Sequence, residues 1–175
     1  MSGSIVKRQH AVKSVAATGE VERTPAANTL SWLVVQVMQL NGLLTAAGDA
    51  LAAPAGQTSA RWQVLAAVED APLSVAQIAR AMNLTRQSVQ RVADLLVEEG
   101  FAAYQDNPAH ARAKLLRLMP KGRKALGTIQ SGQKRWANAL AAGMNESQLR
   151  AASAVLAQLQ QALRAQETLP ESPQE

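Results

Sequence analysis

The chain contains no cysteine, which excludes a disulfide framework, a thiolate metal site and a thiol redox switch. Histidine is almost as scarce. His10 sits in a polar N-terminal stretch and His110 in a loop, and there is no third; two isolated imidazoles do not build a protein metal site. The phosphate-cradling G-x-x-x-x-G-K-[ST] loop, the G-x-G-x-x-G turn and the H-E-x-x-H helix are all missing. The reading is therefore a protein without a catalytic constellation, not an enzyme, with no cofactor expected. Aromatic residues make up 3% of the chain, and the abundance of Ala, Leu, Gln and Val favours helix over sheet. The first 27 residues have no long apolar core, so no secretory signal is expected there.

Charge is missing in two places. Between Arg23 and Arg61 the one charged residue is Asp49. From 107 to 124 there is no acid at all, while Arg112, Lys114, Arg117, Lys121, Arg123 and Lys124 place six positive charges in that span. The last 33 residues hold Arg150 and Arg164 against Glu146, Glu167, Glu171 and Glu175, a net of −2. The overall +5 is thus a local excess, as a surface that tracks phosphates requires. With 175 residues and 47% hydrophobic composition, the chain is expected to form one domain with helical extensions around a real core.

What is present centres on Leu73–Gly100. Val75, Ile78, Ala79 and Met82 follow the i, i+3, i+4, i+7 spacing of an amphipathic helix, and Ser74 with Gln77 has the form of a capping box. Asn83 tolerates the left-handed conformation of a tight turn, with Leu84 expected as the apolar plug beneath it. Thr85 caps a second helix with inner face Val89, Val92, Ala93 and Leu96, and Gly100 ends it. The outer face of this second helix begins with Arg86, Gln87, Ser88, Gln90 and Arg91, and its acids wait until Asp94, Glu98 and Glu99. Helix polarity favours the opposite order. Long donor side chains at the front suit a helix whose N-terminal end enters the DNA major groove.

The flanking segments extend this plan. Residues 1–27 read as a flexible tail carrying Lys7, Arg8, His10 and Lys13. From Leu30 to Ala53 a long helical pattern (Leu30, Leu33, Val34, Val37, Leu40, Leu44, Ala47, Leu51) predicts a helix buried in protein on most sides. Gln36, Gln39 and Asn41 fall in its middle and make membrane insertion costly. Thr58 starts a shorter helix through Trp62 and Leu65. After Gly100, Phe101–Tyr104 and Lys114–Leu118 read as two short strands joined by a loop containing Asn107-Pro108 and Arg112. Pro120 opens the next helix. Asn145-x-x-Gln148 opens the last, where Leu149, Ala152, Leu156, Leu159 and Leu163 form a heptad seam that wants a partner. The expected organisation is a tail (1–27), an N-terminal helix of a dimerisation layer (28–57), a DNA-binding lobe (58–119), C-terminal dimerisation helices (120–166) and a second tail (167–175). In class it is mainly α with a small two- or three-stranded β wing, a winged helix-turn-helix between dimerising helices.

In this order of elements the chain resembles the MarR family of bacterial transcription regulators, from about Leu30 to Leu163. The reading helix LTRQSVQRVADLLVEEGF is similar to the family's TR-like start, V-x-R at Val89–Arg91 and L-x-x-x-G-x at Leu96–Phe101. The wing NPAHARAKLLRLMPKGRKAL resembles the family's DP-x-D-R-R-A-K-x-x-x-L-T-x-x-G-R. Asn107, His110 and Ala111 depart from that pattern, standing where Asp, Asp and Arg are usual, and Met119 replaces Thr. The departures bear on the customary Asp–Arg brace of the wing, for which Asp106 is a partial substitute.

The resemblance implies a homodimeric, cytoplasmic regulator, usually a repressor, that binds a palindromic double-stranded operator without any membrane role. The helix 85–98 would present Thr85, Arg86, Gln87, Ser88, Gln90 and Arg91, and the 105–117 wing Arg112 and Lys114. It also implies release by a small phenolic or aromatic effector, for which Trp32, Gln36, Arg61 and Trp62 are the candidate contacts. The competing reading is a helical protein-interaction module without sequence-specific DNA binding; the acid-free stretch 107–124 argues against it.

Overall fold

The computed structural model describes residues 22–110 and 112–167; the basic N-terminal stretch with Lys7, Arg8, His10 and Lys13, residue Ala111 and the chain beyond Glu167 lie outside the described residues. The elements run α1 (Pro25–Ala52), a 3-10 turn (Ala53–Ala55), α2 (Ser59–Ala67), β1 (Leu73–Ser74), α3 (Val75–Met82), α4 (Arg86–Glu98), β2 (Ala102–Gln105), β3 (Leu115–Leu118), α5 (Pro120–Ala141) and α6 (Glu146–Glu167). The three strands form an antiparallel sheet in the order β1-β3-β2. Leu73 lies opposite Leu116 on one side of β3, and Tyr104 lies opposite Leu116 on the other. This is a winged helix-turn-helix, as the sequence predicts.

Two compact units divide the chain after Asn41. The first holds most of α1, where Thr24 caps the start by accepting from the Ala27 N–H at 3.2 Å. The second holds everything from Gly42 onward, and its core draws on every element from α2 to α5. Leu65, Ile78, Val89, Leu96, Leu116, Leu126 and Ile129 are fully buried. Burying such a side chain contributes roughly 1.5–3 kcal/mol each, so the lobe is held by apolar contact rather than by its few ion pairs.

The turn between α3 and α4 is built as the local sequence demands. Ser74 accepts from the Gln77 N–H and the Gln77 side chain accepts from the Ser74 N–H, closing the capping box. Asn83 adopts φ 52 and ψ 45. Its N–H bonds to the Arg80 carbonyl and the Leu84 N–H to the Ala79 carbonyl, the paired bonds of a Schellman motif. Thr85 caps α4 by accepting from the Ser88 N–H at 3.1 Å. At the far end Gly100, at φ 75, repeats the device: Gly100 bonds to Val97 and Phe101 to Leu96.

Two expectations need correction. Leu84 is exposed rather than an apolar plug, because its backbone N–H is held by Ala79 and the side chain is left outside. The helix from Leu30 is not buried on most sides: within the chain only Gly48 and Ala52 of α1 are buried, and Trp32 is 73% exposed. Apolar periodicity signals that a face seeks cover, not that its own chain supplies the cover. By length and composition alone Pro25–Ala55 would also pass as a membrane span, which the three mid-segment amides oppose. The strands fall within one residue of their expected limits, and β1 makes the sheet the three-stranded one of the two expected sizes.

Candidate nucleic-acid interface

Arg86, Gln87 and Gln90 of α4 share an open groove with Arg112 and Lys114 of the wing, lined also by Ser74, Val75 and Tyr104. The groove has a volume of about 710 Å³, and none of its lining residues is acidic. Arg86 opens the first turn of α4, where the unpaired N–H groups already carry partial positive charge. The arginine adds to that field rather than offsetting it, which attracts an anion.

Thr85 and Ser88 are exposed but mutually engaged, their hydroxyls 2.8 Å apart, so part of their hydrogen-bonding capacity serves the cap. Arg91 lies on the flank of α4 in a shallow cleft with Gln87, Asp94, Leu95 and Glu98. Of the eight predicted DNA contacts, Arg86, Gln87, Gln90, Arg112 and Lys114 thus meet in one groove, Thr85 and Ser88 sit at its helical edge, and Arg91 faces a neighbouring cleft. The wing loop is shaped by Asn107, whose side-chain oxygen accepts from the Ala109 N–H at 3.0 Å while its carbonyl accepts from His110 at 3.1 Å. Among the described residues no ion pair links Asp106 to Arg112 or Lys114, so an Asx turn stands in for the expected brace.

Glu99, at the end of α4, has its own partners. The Glu99 carboxylate receives a hydrogen bond from Arg61 at 2.6 Å. That bond and the nearby charges of Arg61 and Lys121, working against desolvation, hold its carboxyl below the usual range. Lys121 donates to the Glu99 carbonyl at 2.8 Å, and its ammonium lies 4.2 Å from the centre of the Phe101 ring, with the Arg61 guanidinium 5.6 Å from it. This clasp fastens α2 and α5 to the end of the reading helix. The candidate ligand residue Arg61 is thereby engaged in structure.

Sequence reasoning missed Tyr104. Its hydroxyl donates to Asp94 Oδ1 at 2.7 Å, and the Gln90 side-chain amide donates to both the Tyr104 oxygen and Asp94 Oδ1, each at 2.8 Å. Burial, the Asp94 hydrogen bond and the Asp94 charge push the phenol up to about 12 from 10.0, opposed by the bond from Gln90.

Of the four candidate ligand contacts, Trp32 and Gln36 belong to the first unit and are exposed, while Arg61 and Trp62 belong to the second. Trp62 lines a cleft of about 360 Å³ with Leu44, Ser59, Met82, Gln133 and Trp136.

The family model described as "MarR family" matches residues 55–113, from the turn after α1 to the wing loop. The chain belongs to the MarR family. An uncharacterised protein of Mycobacterium tuberculosis is 47% identical over 97 residues, which span 55% of this chain and 68% of that one. Solved structures of MarR-family regulators share the fold over most of the chain. A mutant MarR from E. coli complexed with operator DNA shares 16% identity at a TM-score of 0.68, covering 75% of this chain and 96% of that one. The M. tuberculosis transcriptional regulator MOSR in complex with DNA shares 22% at 0.63, covering 75% and 97%. At these identities the likeness is one of fold. As a MarR-family chain, the protein brings Arg86, Gln87 and Gln90 of α4 and Arg112 and Lys114 of the wing to one acid-free groove.

Proposed function

We propose that this MarR-family protein is a homodimeric, sequence-specific DNA-binding regulator of transcription, acting as a repressor in the cytoplasm. The observation that carries the reading is the acid-free groove in which Arg86, Gln87 and Gln90 face Arg112 and Lys114. The front of α4 enters the major groove with Gln87, Gln90 and Arg91 toward base edges, Thr85 and Ser88 at the phosphate edge, and Arg112 and Lys114 against phosphate or minor groove. Two structures of similar fold were solved with DNA, which supports the same use here.

Dimerisation is inferred from uncovered apolar side chains. On α6, Leu149, Leu156 and Leu163 are all exposed, as are Leu30, Val34 and Val37 on α1; a second copy would cover them. Symmetry then predicts a palindromic operator with half-sites one helical turn, roughly 34 Å, apart. For the effector, the cleft beside Trp62 and Trp136, walled by Met82, has the apolar and aromatic lining that a small phenolic ligand needs. A ligand that binds the DNA-incompetent spacing better would release DNA, by no more than its differential affinity.

The test is selection of genomic fragments by the purified protein, followed by footprinting at two salt concentrations. The expected result is a protected palindrome whose affinity falls steeply with salt. Retention of no fragment above background would overturn the reading.

A further inference from the structure

Among the described residues, the hydrogen bonds of the wing loop stay inside the loop: Ala109 and His110 donate to Asn107, and Ala113 donates to His110. Neither Arg112 nor Lys114 is ion-paired there. The strand that leads into the loop, β2, lies at the edge of the sheet, with β3 on one side only. The link from this wing to the reading helix is made by Tyr104. Its hydroxyl donates to Asp94 Oδ1 at 2.7 Å, and the Gln90 amide nitrogen lies 2.8 Å from each of those two oxygens. The three atoms are nearly equidistant, so one Gln90 N–H serves both oxygens as a three-centre bond. The bond that joins strand to helix is the one from Tyr104 to Asp94.

Its place in the fold gives that bond leverage. Asp94 lies one helical turn beyond Gln90 on α4, and Tyr104 is the next-to-last residue of β2, opposite the fully buried Leu116. The chain leaves the sheet after Gln105 and returns at Leu115, directly after Arg112 and Lys114. We propose that Tyr104 and Asp94 are positioning residues that lock the root of the wing to the reading helix. They thereby set the offset between the bases faced by α4 and the phosphates met by Arg112 and Lys114. Without the bond the loop is free to swing about the two strands, and each phosphate contact must first bear the cost of ordering it. Burial, the bond to Asp94 and the Asp94 charge push the phenol up to about 12, so Tyr104 keeps the proton it donates throughout the physiological range.

This inference rests on the DNA-binding reading, and a measurement without DNA keeps the two apart. In the free protein, Tyr104→Phe and Asp94→Ala should speed hydrogen exchange of the β2 and β3 amides next to the loop by about three- to tenfold, while the Leu84 amide keeps its rate. Unchanged exchange beside the loop in both variants would overturn the brace whatever the protein binds. The second arm uses the duplex that the wild type retains in genomic selection. Tyr104→Phe should weaken its binding by about three- to tenfold. Lys114→Ala made in that background should lower affinity and salt slope by less than it does in the wild type. Strictly additive losses would reduce the hydroxyl to a contribution to stability and overturn the proposal, with DNA binding intact. Asp94→Asn and Asp94→Ala lose the same charge, so their difference reads the acceptor alone. The asparagine variant, which still accepts from the phenol, should bind the duplex more tightly; equal affinities would also overturn the proposal. Retention of no duplex by the wild type would remove the DNA-binding reading and this one with it.

Discussion

Arg91 and Lys114 should fail in different ways. Arg91 lies on the flank of the reading helix and Lys114 at the base of the wing. If Arg91 meets base edges, Arg91→Ala costs about 1–3 kcal/mol on the cognate site and narrows the gap to non-cognate DNA. Lys114→Ala weakens all duplexes alike and lowers the slope of log affinity against log salt by about one. Titrating both variants on cognate and scrambled duplexes checks this; an Arg91→Ala protein as selective as the parent would reassign the contact. Tyr104 offers an independent reading of its own environment, because it is the only tyrosine. Its phenolate absorbance should titrate about 12, not 10.0. The sign follows: the folded state holds the neutral phenol more tightly, so this contribution is present in full below pH 10 and is lost as pH rises toward 12. Tyr104→Phe should unfold with no such alkaline component, and a wild-type midpoint near 10.0 would mean that the ring is open in solution.

Among the elements, the start of α5 is the place where backbone meets backbone. A Cβ on Gly122 would stand 2.1 Å from the Phe101 carbonyl oxygen and 2.8 Å from Leu118 Cδ1. The first turn of α5 is pressed against the turn that ends α4, and Met119 already bonds to that same carbonyl at 3.0 Å. Gly122→Ala must displace a main chain, so a loss of about 1–3 kcal/mol is expected in denaturant unfolding; an unchanged midpoint would refute the contact. Caps and turns of the reading unit were legible because each is a local bargain within four or five residues: Ser74 with Gln77, Thr85 with Ser88, Asn83 and Gly100 at their turns. Gly122 and Tyr104 were not. Gly122 answers to a carbonyl 21 positions away and Tyr104 to partners 10 and 14 positions away, and spacing along one element carries no trace of either. Residues on the groove were found through their chemistry and position on one helix face, while the ring that orients Gln90 needed the strand beside it.

At the scale of the whole molecule, the striking shortage is of cover. Apolar residues of α1 and of α6 stand exposed, and exposed apolar patches mark interaction surfaces. If a second copy supplies the cover, Leu156→Glu places a charge in the seam. The variant should elute as a monomer by light scattering and lose the steep binding of a palindrome, while a single half-site still binds weakly. A dimer that survives this change would move the interface elsewhere. The clasp of Arg61 on Glu99 adds a pH term to the same molecule. Because the Glu99 carboxyl is held low, its contribution is present above its ordinary range near 4.5 and is lost on acidification through the lowered value.

The paired Schellman bonds that end α3 and α4 bear on how the protein breathes. The Leu84 and Phe101 amides are bonded to the Ala79 and Leu96 carbonyls, of residues that sit in the buried core. Such amides exchange with solvent only when the packing itself opens, so the turn of this unit should be as slow to exchange as the helices it joins. Among the described residues of the wing tip, Asp106, Pro108, Ala109, His110, Arg112 and Ala113 are exposed, and Asn107 makes only short local bonds. It should exchange early. Hydrogen exchange would then divide the interface into a stiff reader, set before DNA arrives, and a compliant finger that takes its final shape on the phosphates.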